Sequence, residues 1–252
     1  MEIGAKKGTK RVWQLGDKTI DSCESYRYLG EEISSDGKSQ RNIAERSKKV
    51  SGAVRAIMTC AKADIMRKIA TQILLKLNNT VTLPTLLYNS ETWILTKGDR
   101  NEIDKIAIKA WKQMLGLPMT TPSPAVIFST GSLYASIQVD VKQLLYLHKL
   151  LQKEEGHWAK VTLMILNRQQ ITWTKRINEL LESWELEKEW GKIAEKSKGG
   201  WKHEVEKAAE RMNIEKLKEE CQTKQRGVVR EKTKTKSIVT EIEQPEYQQQ
   251  PL

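Results

Sequence analysis

A mainly α fold is predicted for this chain: short N-terminal β-strands, a helical bundle, further helices and a disordered C-terminal tail. Three observations predict it. Apolar residues alternate with polar ones only within residues 10–35, and from Ser39 onward they recur at steps of three and four. Gly116-Leu117-Pro118 and Pro122-Ser123-Pro124 interrupt the helical pattern near mid-chain. Beyond Cys221 the residues are basic and polar, a composition that buries no core. These breaks divide the chain into 1–37, 38–118, 119–219 and 220–252.

The β segment opens with Lys10-Arg11-Val12-Trp13-Gln14-Leu15, turns at Gly16-Asp17 and continues through Lys18-Thr19-Ile20. After Asp21-Ser22-Cys23, the stretch from Tyr26 to Ile33 reads as a further strand. Aromatic and β-branched residues alternate with polar ones, the pattern of strands buried on one face. Asp36-Gly37 closes the segment as a turn.

The helices follow. Ser39 is placed to cap a helix reaching Cys60, with Ile43, Ser47, Val50, Val54 and Ile57 on one face. Arg41, Lys48, Arg55 and Lys62 stand seven apart, and seven steps of about 100° make almost two turns, so they line up on the opposite face. A solvated helix face explains such a row, and so does a cationic ridge that tracks a phosphate backbone. Glu45 is the only acid expected close to it. Asp64 caps a second helix to Leu77, with Ile65, Ile69, Ile73 and Leu77 at four-residue spacing. Periodicity leaves residues 83–93 open between a short helix and an extended segment. Asp99 caps a helix to Leu115 that turns Ile103, Ile106, Ala107, Ala110 and Met114 inward and Lys105, Lys109 and Lys112 outward together. Then come a short helix over 124–130 and a long one over 134–155 with the stripe Ile137, Val141, Leu144, His148 and Leu151. Helices around 157–170, 174–184, 186–197 and 202–219 complete the pattern.

Charge indicates the class of partner. The 252 residues carry 43 Lys+Arg against 32 Asp+Glu, a net charge of +11. Such a surplus attracts polyanions, nucleic acid before acidic membrane. No apolar run approaches the roughly 20 residues that cross a bilayer, so no membrane span is expected. Cys23, Cys60 and Cys221 form no CxxC pair, which suits a reducing compartment and an intracellular location, nuclear or cytoplasmic.

Motifs of catalysis are missing from the pattern. Two-metal chemistry needs converging carboxylates, and no Asp-Asp pair occurs. Glu31-Glu32 is adjacent, but consecutive strand residues point to opposite faces, so an exposed or edge-strand role is expected. No phosphate-binding GxxxxGK[ST] loop and no GxSxG elbow is present. His148, His157 and His203 have no partner at metal-ligand spacing, and His148 falls on an apolar face, as a core histidine does. No catalytic residue, metal or cofactor is therefore expected in this chain. Of the eight Trp, most sit at helical spacing suited to packing; Trp13, beside Lys10 and Arg11, is the best candidate to stack on a base.

Three blocks together resemble a family. Tyr26-Arg27-Tyr28-Leu29-Gly30, then Ile33-Ser34-Ser35-Asp36-Gly37-Lys38 and a basic helix, is similar to the stretch just beyond the active-site palm of LINE-type (non-LTR) retrotransposon reverse transcriptases. Leu83-Pro84-Thr85-Leu86-Leu87-Tyr88-Asn89-Ser90-Glu91-Thr92-Trp93 resembles that family's Pro-x-Leu-Leu-Tyr-Gly-x-Glu-x-Trp block. Leu115-Gly116-Leu117-Pro118-Met119-Thr120-Thr121-Pro122 is similar to a linker found after the thumb in some members. The match covers about residues 1–150 and is loose beyond.

The resemblance implies that 1–37 is an end-of-palm hairpin and palm–thumb junction, and that 38–118 is a thumb that holds a template–primer duplex by its backbone. Tyr26, Tyr28, Leu29 and Gly30 carry over as junction residues near the primer end. Arg41, Lys48, Arg55, Lys105, Lys109 and Lys112 come from the helical wheel instead. The family's catalytic aspartates, in an aromatic-Ala-Asp-Asp turn, are expected upstream of residue 1, and Mg would belong to that missing palm. Met1 then reads as an internal methionine of a longer frame. Fingers, endonuclease and Cys/His knuckle have no counterpart. Asn89 stands where the family usually has Gly, a substitution that tolerates left-handed backbone, and Glu31 stands where an aliphatic residue is common. The expected activity is sequence-tolerant binding of RNA, DNA or their hybrid, without polymerisation. The alternatives are a non-enzymatic helical interaction protein or a non-functional relic of a transposable element. Oligomeric state is not set by the sequence.

Overall fold

The computed structural model describes residues 12–20, 23–60, 71–170 and 172–227. The chain forms two compact units, Met1–Met114 and Leu115–Leu252.

The first unit begins with two separate antiparallel hairpins. β1 (Trp13–Leu15) pairs with β2 (Lys18–Ile20), Gln14 opposite Thr19, across Gly16-Asp17. Gly16 has φ 60, which only glycine adopts without cost. β3 (Ser25–Tyr28) pairs with β4 (Glu31–Ser34), Tyr26 opposite Ile33 and Tyr28 opposite Glu31. The stretch from Tyr26 to Ile33 is thus two strands rather than one. Its turn is Leu29-Gly30, with φ 46 and 80. Positive φ at both central residues matches the twist of the flanking strands. The expected half-burial holds only for β4. Both faces of β1–β2 are exposed, and so are Tyr26 and Tyr28. A two-stranded ribbon has no second layer to bury a face unless a helix packs on it, and here β4 lies against α1.

α1 (Gln40–Cys60) starts one residue after Ser39, whose carbonyl accepts from Ile43 N–H at 2.9 Å. Ile43, Val50 and Val54 are buried as the period predicts. α2 (Thr71–Leu77) departs from it: Ile73 is exposed and Leu74 is buried. Four-residue steps advance by 400°, so a stripe built on them drifts 40° at each step and leaves the core. Asp64, Ile65, Ile69 and Lys62 lie outside the described residues. A wide π-helical turn over Asn78–Thr82 then leads into α3 (Leu83–Leu86). Leu83 N–H reaches back five residues to the Asn78 carbonyl. Pro84, with no N–H and a ring that crowds the preceding turn, prevents the ordinary four-residue ladder here. A 3-10 turn over Ser90–Thr92 follows Asn89, whose φ of 60 is a left-handed conformation that asparagine tolerates.

α4 (Lys97–Met114) buries Ile103, Ile106, Ala107, Ala110 and Met114. Its cap is Thr96 rather than Asp99. Thr96 N–H donates to Asp99 Oδ2 at 2.9 Å and Asp99 N–H donates to Thr96 Oγ1 at 3.2 Å, a reciprocal capping box.

The second unit is helical throughout the described residues. α5 (Ser123–Thr130) has Pro124 in its first turn and ends at Gly131, φ 61, with Ser132 N–H bonded to the Ile127 carbonyl. α6 (Ala135–Leu151) runs through the centre of the unit, with Leu144, Leu147 and Leu151 buried. α7 (Trp158–Arg168) is capped by His157, whose ring Nδ1 accepts from Ala159 N–H. α8 (Thr172–Ser183), α9 (Trp190–Glu195) and α10 (Lys198–Gly227) complete the unit. α10 packs on α6 through Trp201, Val205, Ala208 and Ala209. It extends through Gly227, so residues 220–227 belong to a helix and not to a tail; Cys221 is buried in it. Residues 228–252 lie outside the described residues. His148 is a core histidine, its Nε2 3.0 Å from the Lys196 carbonyl and its ring stacked on Trp201.

Candidate nucleic-acid interface

The Leu29-Gly30 turn and the basic helix are brought together by Arg46, for which the sequence indicates no role, and by Glu31, expected there only as an exposed or edge-strand residue. Arg46 lies on α1 beside the apolar stripe and is buried. One guanidinium nitrogen donates to the Gly30 carbonyl at 2.9 Å, and the guanidinium carbon sits 4.5 Å from the centre of the Tyr88 ring. The Tyr88 hydroxyl in turn donates to the Leu29 carbonyl at 3.1 Å. Both carbonyls of the left-handed Leu29-Gly30 turn are therefore held by one stacked Arg–Tyr pair. Leu29 is a non-glycine residue at positive φ, a conformation costing about 1–2 kcal/mol, and these two bonds help hold it there.

Glu31 answers the guanidinium. Its Oε1 accepts from Trp93 Nε1 at 2.8 Å and from Asn42 Nδ2 at 3.2 Å, and its Oε2 accepts from Asn89 Nδ2. The edge-strand position expected for Glu31 is correct, but the side chain is a half-buried hub and not a solvated one. It ties the Tyr26–Gly30 hairpin, α1 and the Tyr88–Trp93 block into one polar knot. Burial lowers the pKa of Arg46, while Glu31 pulls it back up. Among the described residues Arg46 Nε has no hydrogen-bond partner, so Glu31 and the Tyr88 ring carry much of its charge compensation.

Arg41, Lys48 and Arg55 are exposed along α1. Successive members are separated by about 10.5 Å of helix, roughly three steps of a duplex. The ridge has more acidic neighbours than expected. Lys48 Nζ bonds Glu45 Oε1 at 2.8 Å, and Arg41 lies 3.6 Å from Glu24 on the loop before β3. The Lys48 contact holds the Glu45 carboxyl below its ordinary range and raises the lysine. Both pairs are solvent-exposed, hence weakly held and open to exchange for a phosphate. Arg27 of β3 and Lys49 widen the positive surface. The pKa of Lys49 is lowered by burial first, and then by repulsion from Arg46 and Arg27. Sequence reading missed Lys49 because it sits off the seven-residue row, and missed Arg27 because strand and helix come together only in the fold.

Tyr26 and Tyr28 stand two residues apart on one face of β3, about 7 Å along it, both exposed. Trp13 is exposed on β1. On α4, Lys105 and Lys109 are exposed, with Lys105 3.8 Å from Glu102. Lys112 corrects the outward row: it is 8 % exposed. Burial widens around the C-terminal half of α4, where Ile108 and Trp111 are buried beside it, and a helical wheel does not register that change along the axis.

Among the described residues no group of His, Cys, Asp and Glu could hold a metal ion, and no helix is long and apolar enough to cross a membrane. In comparisons with protein-family models, curated proteins and solved structures, nothing matches this chain.

Proposed function

We propose that this chain is a retrotransposon-derived reverse-transcriptase fragment that holds the backbone of an RNA, DNA or hybrid duplex and does not polymerise by itself. The observation that supports this reading is the meeting of its two family-like blocks. Leu29-Gly30 and Tyr88–Trp93, about 60 residues apart, are joined through Arg46 and Glu31. That joint fixes the hairpin against α1 and leaves Arg41, Lys48 and Arg55 facing solvent on the same helix. A duplex laid along α1 meets cations at backbone spacing and exposed tyrosines at the hairpin, where bases at a strand end would stack. No Asp-Asp pair supplies metal-bound carboxylates, so the reading assigns polymerisation, and the Mg it needs, to residues other than these.

Two measurements test it. The affinity of the purified chain for a hybrid duplex should fall with salt, with a slope of several units in log K against log salt. Arg41→Ala/Lys48→Ala/Arg55→Ala should reduce that slope by about 2–3 units, since each phosphate contact contributes about 0.9. A flat salt response overturns the reading. Binding that survives the triple change removes the ridge from it and favours a helical interaction protein. Primer extension with Mg²⁺ and nucleotides should give no product.

A further inference from the structure

Three cations gather where the β3–β4 hairpin meets α1. Arg46 and Lys49 stand three residues apart on the helix, a spacing that sets side chains side by side. Arg27 comes from β3, whose partner strand packs on α1 and whose turn carbonyl at Gly30 accepts from Arg46. The acids nearby are engaged elsewhere. Glu31 is shared among Trp93, Asn42 and Asn89, and Glu45 is bonded to Lys48. Glu32 stands opposite Arg27 in the hairpin register. Yet the side chains of Arg27 and Lys49 form no ion pair or hydrogen bond with a described residue. Burial first, and then repulsion from Arg46 and Arg27, holds the Lys49 ammonium below its ordinary pKa; the opposing pull of Glu45 is weaker than either guanidinium. Arg46 itself is 5 % exposed, and its Nε has no partner among the described residues. Like charges held together in this way are disfavoured until an anion shares them.

We propose that Arg27, Arg46 and Lys49 form an anion site for the terminal phosphate of a nucleic-acid strand. Arg27 offers a planar fork of donors and Lys49 a compact point charge, while Arg46 adds positive potential from within. A terminal phosphomonoester carries about −1.5 to −2 charges at neutral pH, more than the single charge of a phosphate inside a strand, and so suits a cluster of cations better. Position points the same way. Lys49 and Arg46 lie about 100° and about 160° around α1 from Lys48, both in the direction of the hairpin and off the row of Arg41, Lys48 and Arg55. A strand that follows the row reaches this site only by leaving the helix axis, as a strand end does. That the phosphate belongs to a strand end rests on the duplex-binding reading; that the site takes phosphate does not.

NMR titration of the full chain with inorganic phosphate, against matched chloride, tests the site alone. Amide shifts at Arg27 and Lys49 should saturate with a Kd on the order of millimolar, and Lys49→Gln should weaken that binding about fivefold or more. The strand end is tested with one hybrid duplex bearing either hydroxyls or phosphates at its termini. Terminal phosphate should tighten binding about tenfold. Arg27→Ala/Lys49→Ala should bring that ratio to about one, whereas Arg41→Ala/Lys48→Ala/Arg55→Ala should weaken both duplexes and keep it. Lys49→Arg retains the charge and should retain the ratio. A titration without saturable shifts overturns the site, and so does a ratio that survives Arg27→Ala/Lys49→Ala. Equal affinity for the two duplexes, with saturable phosphate binding, makes free phosphate the ligand and overturns the strand-end assignment. A chain that binds neither duplex overturns the duplex-binding reading and that assignment with it, while saturable phosphate binding still upholds the site.

Discussion

The two units both enclose polar side chains, yet they satisfy them differently. In Met1–Met114 the polar groups that join separate segments are the buried Arg46 and the half-buried Glu31. Arg46 and Glu31 connect three segments of chain, and all but one of the links described between those segments, Tyr88 hydroxyl to Leu29 carbonyl, run through a formal charge. In Leu115–Leu252 most such links are neutral side chains bonded to backbone, beside one buried acid, Asp140, which lies 3.5 Å from Arg176. Asn213 accepts from Tyr134 N–H at 2.9 Å, Thr174 donates to the Leu166 carbonyl, and Trp201 Nε1 donates to the Leu144 carbonyl at 3.1 Å. Indoles and leucines fill the rest, with Trp184, Trp190 and Trp201 buried. A neutral hydrogen bond replaces one made to water at little desolvation cost, whereas a buried guanidinium loses hydration that its partners must offset. The second unit is thus held mainly by apolar packing. The first is held by apolar packing plus a hub that specifies one arrangement of hairpin, helix and loop.

The largest expected effect lies in the second unit. Trp201→Ala removes a fully buried indole and its hydrogen bond, and should destabilise that unit by about 3–5 kcal/mol while leaving amide-exchange protection in α1 and α4 unchanged. Loss of protection in both units would dissolve the contrast. Next comes the hub. Glu31→Ala strands Arg46 and should cost about 2–3 kcal/mol in urea unfolding of the first unit. Glu31→Leu combined with Arg46→Met should recover most of that loss, because the stranded charge is gone. If the double change is as damaging as the single one, the hub is more than an offset pair.

A smaller effect of opposite sign is expected at the turn. Leu29→Asn keeps the left-handed backbone at lower cost and should stabilise by about 0.5–1 kcal/mol. Leu29→Gly should gain less, because glycine also adds freedom to the unfolded chain. The smallest effect is shared by the two units. Asp36 is held below its ordinary pKa of 3.8 by the Ser34 hydroxyl and the Lys38 N–H, and Glu182 below 4.5 by Lys188. Folded pKa values below the unfolded ones mean that this stabilisation is present above the unfolded pKa and lost as pH falls through the folded one. A urea midpoint at about pH 3 should therefore be lower than at neutral pH in both units.

Particular residues show what was legible. Ile43, Val50, Val54, Ile103, Ile106 and Ala107 lie inward as their spacing indicates, and Asn89 takes the left-handed turn. Ile73, read by the same spacing, faces out because steps of four drift around the helix. Leu29-Gly30 was read as strand interior, since leucine gives no turn signal, although the following glycine does. The role of Glu31 had no local signature, because Trp93 is 62 residues away and Asn89 is 58.

By itself, the sequence determined the helical class, the inward faces of α1 and α4, and the row of Arg41, Lys48 and Arg55. These follow from intervals of a few residues, where backbone geometry alone sets direction. Tertiary structure decided which cations remain in water, with Lys112 enclosed and Lys105 and Lys109 outside. It also decided that both sides of β1–β2 stay wet and that Arg46 and Glu31 meet. Burial depends on what packs along each face, and that is set by segments far apart in the chain.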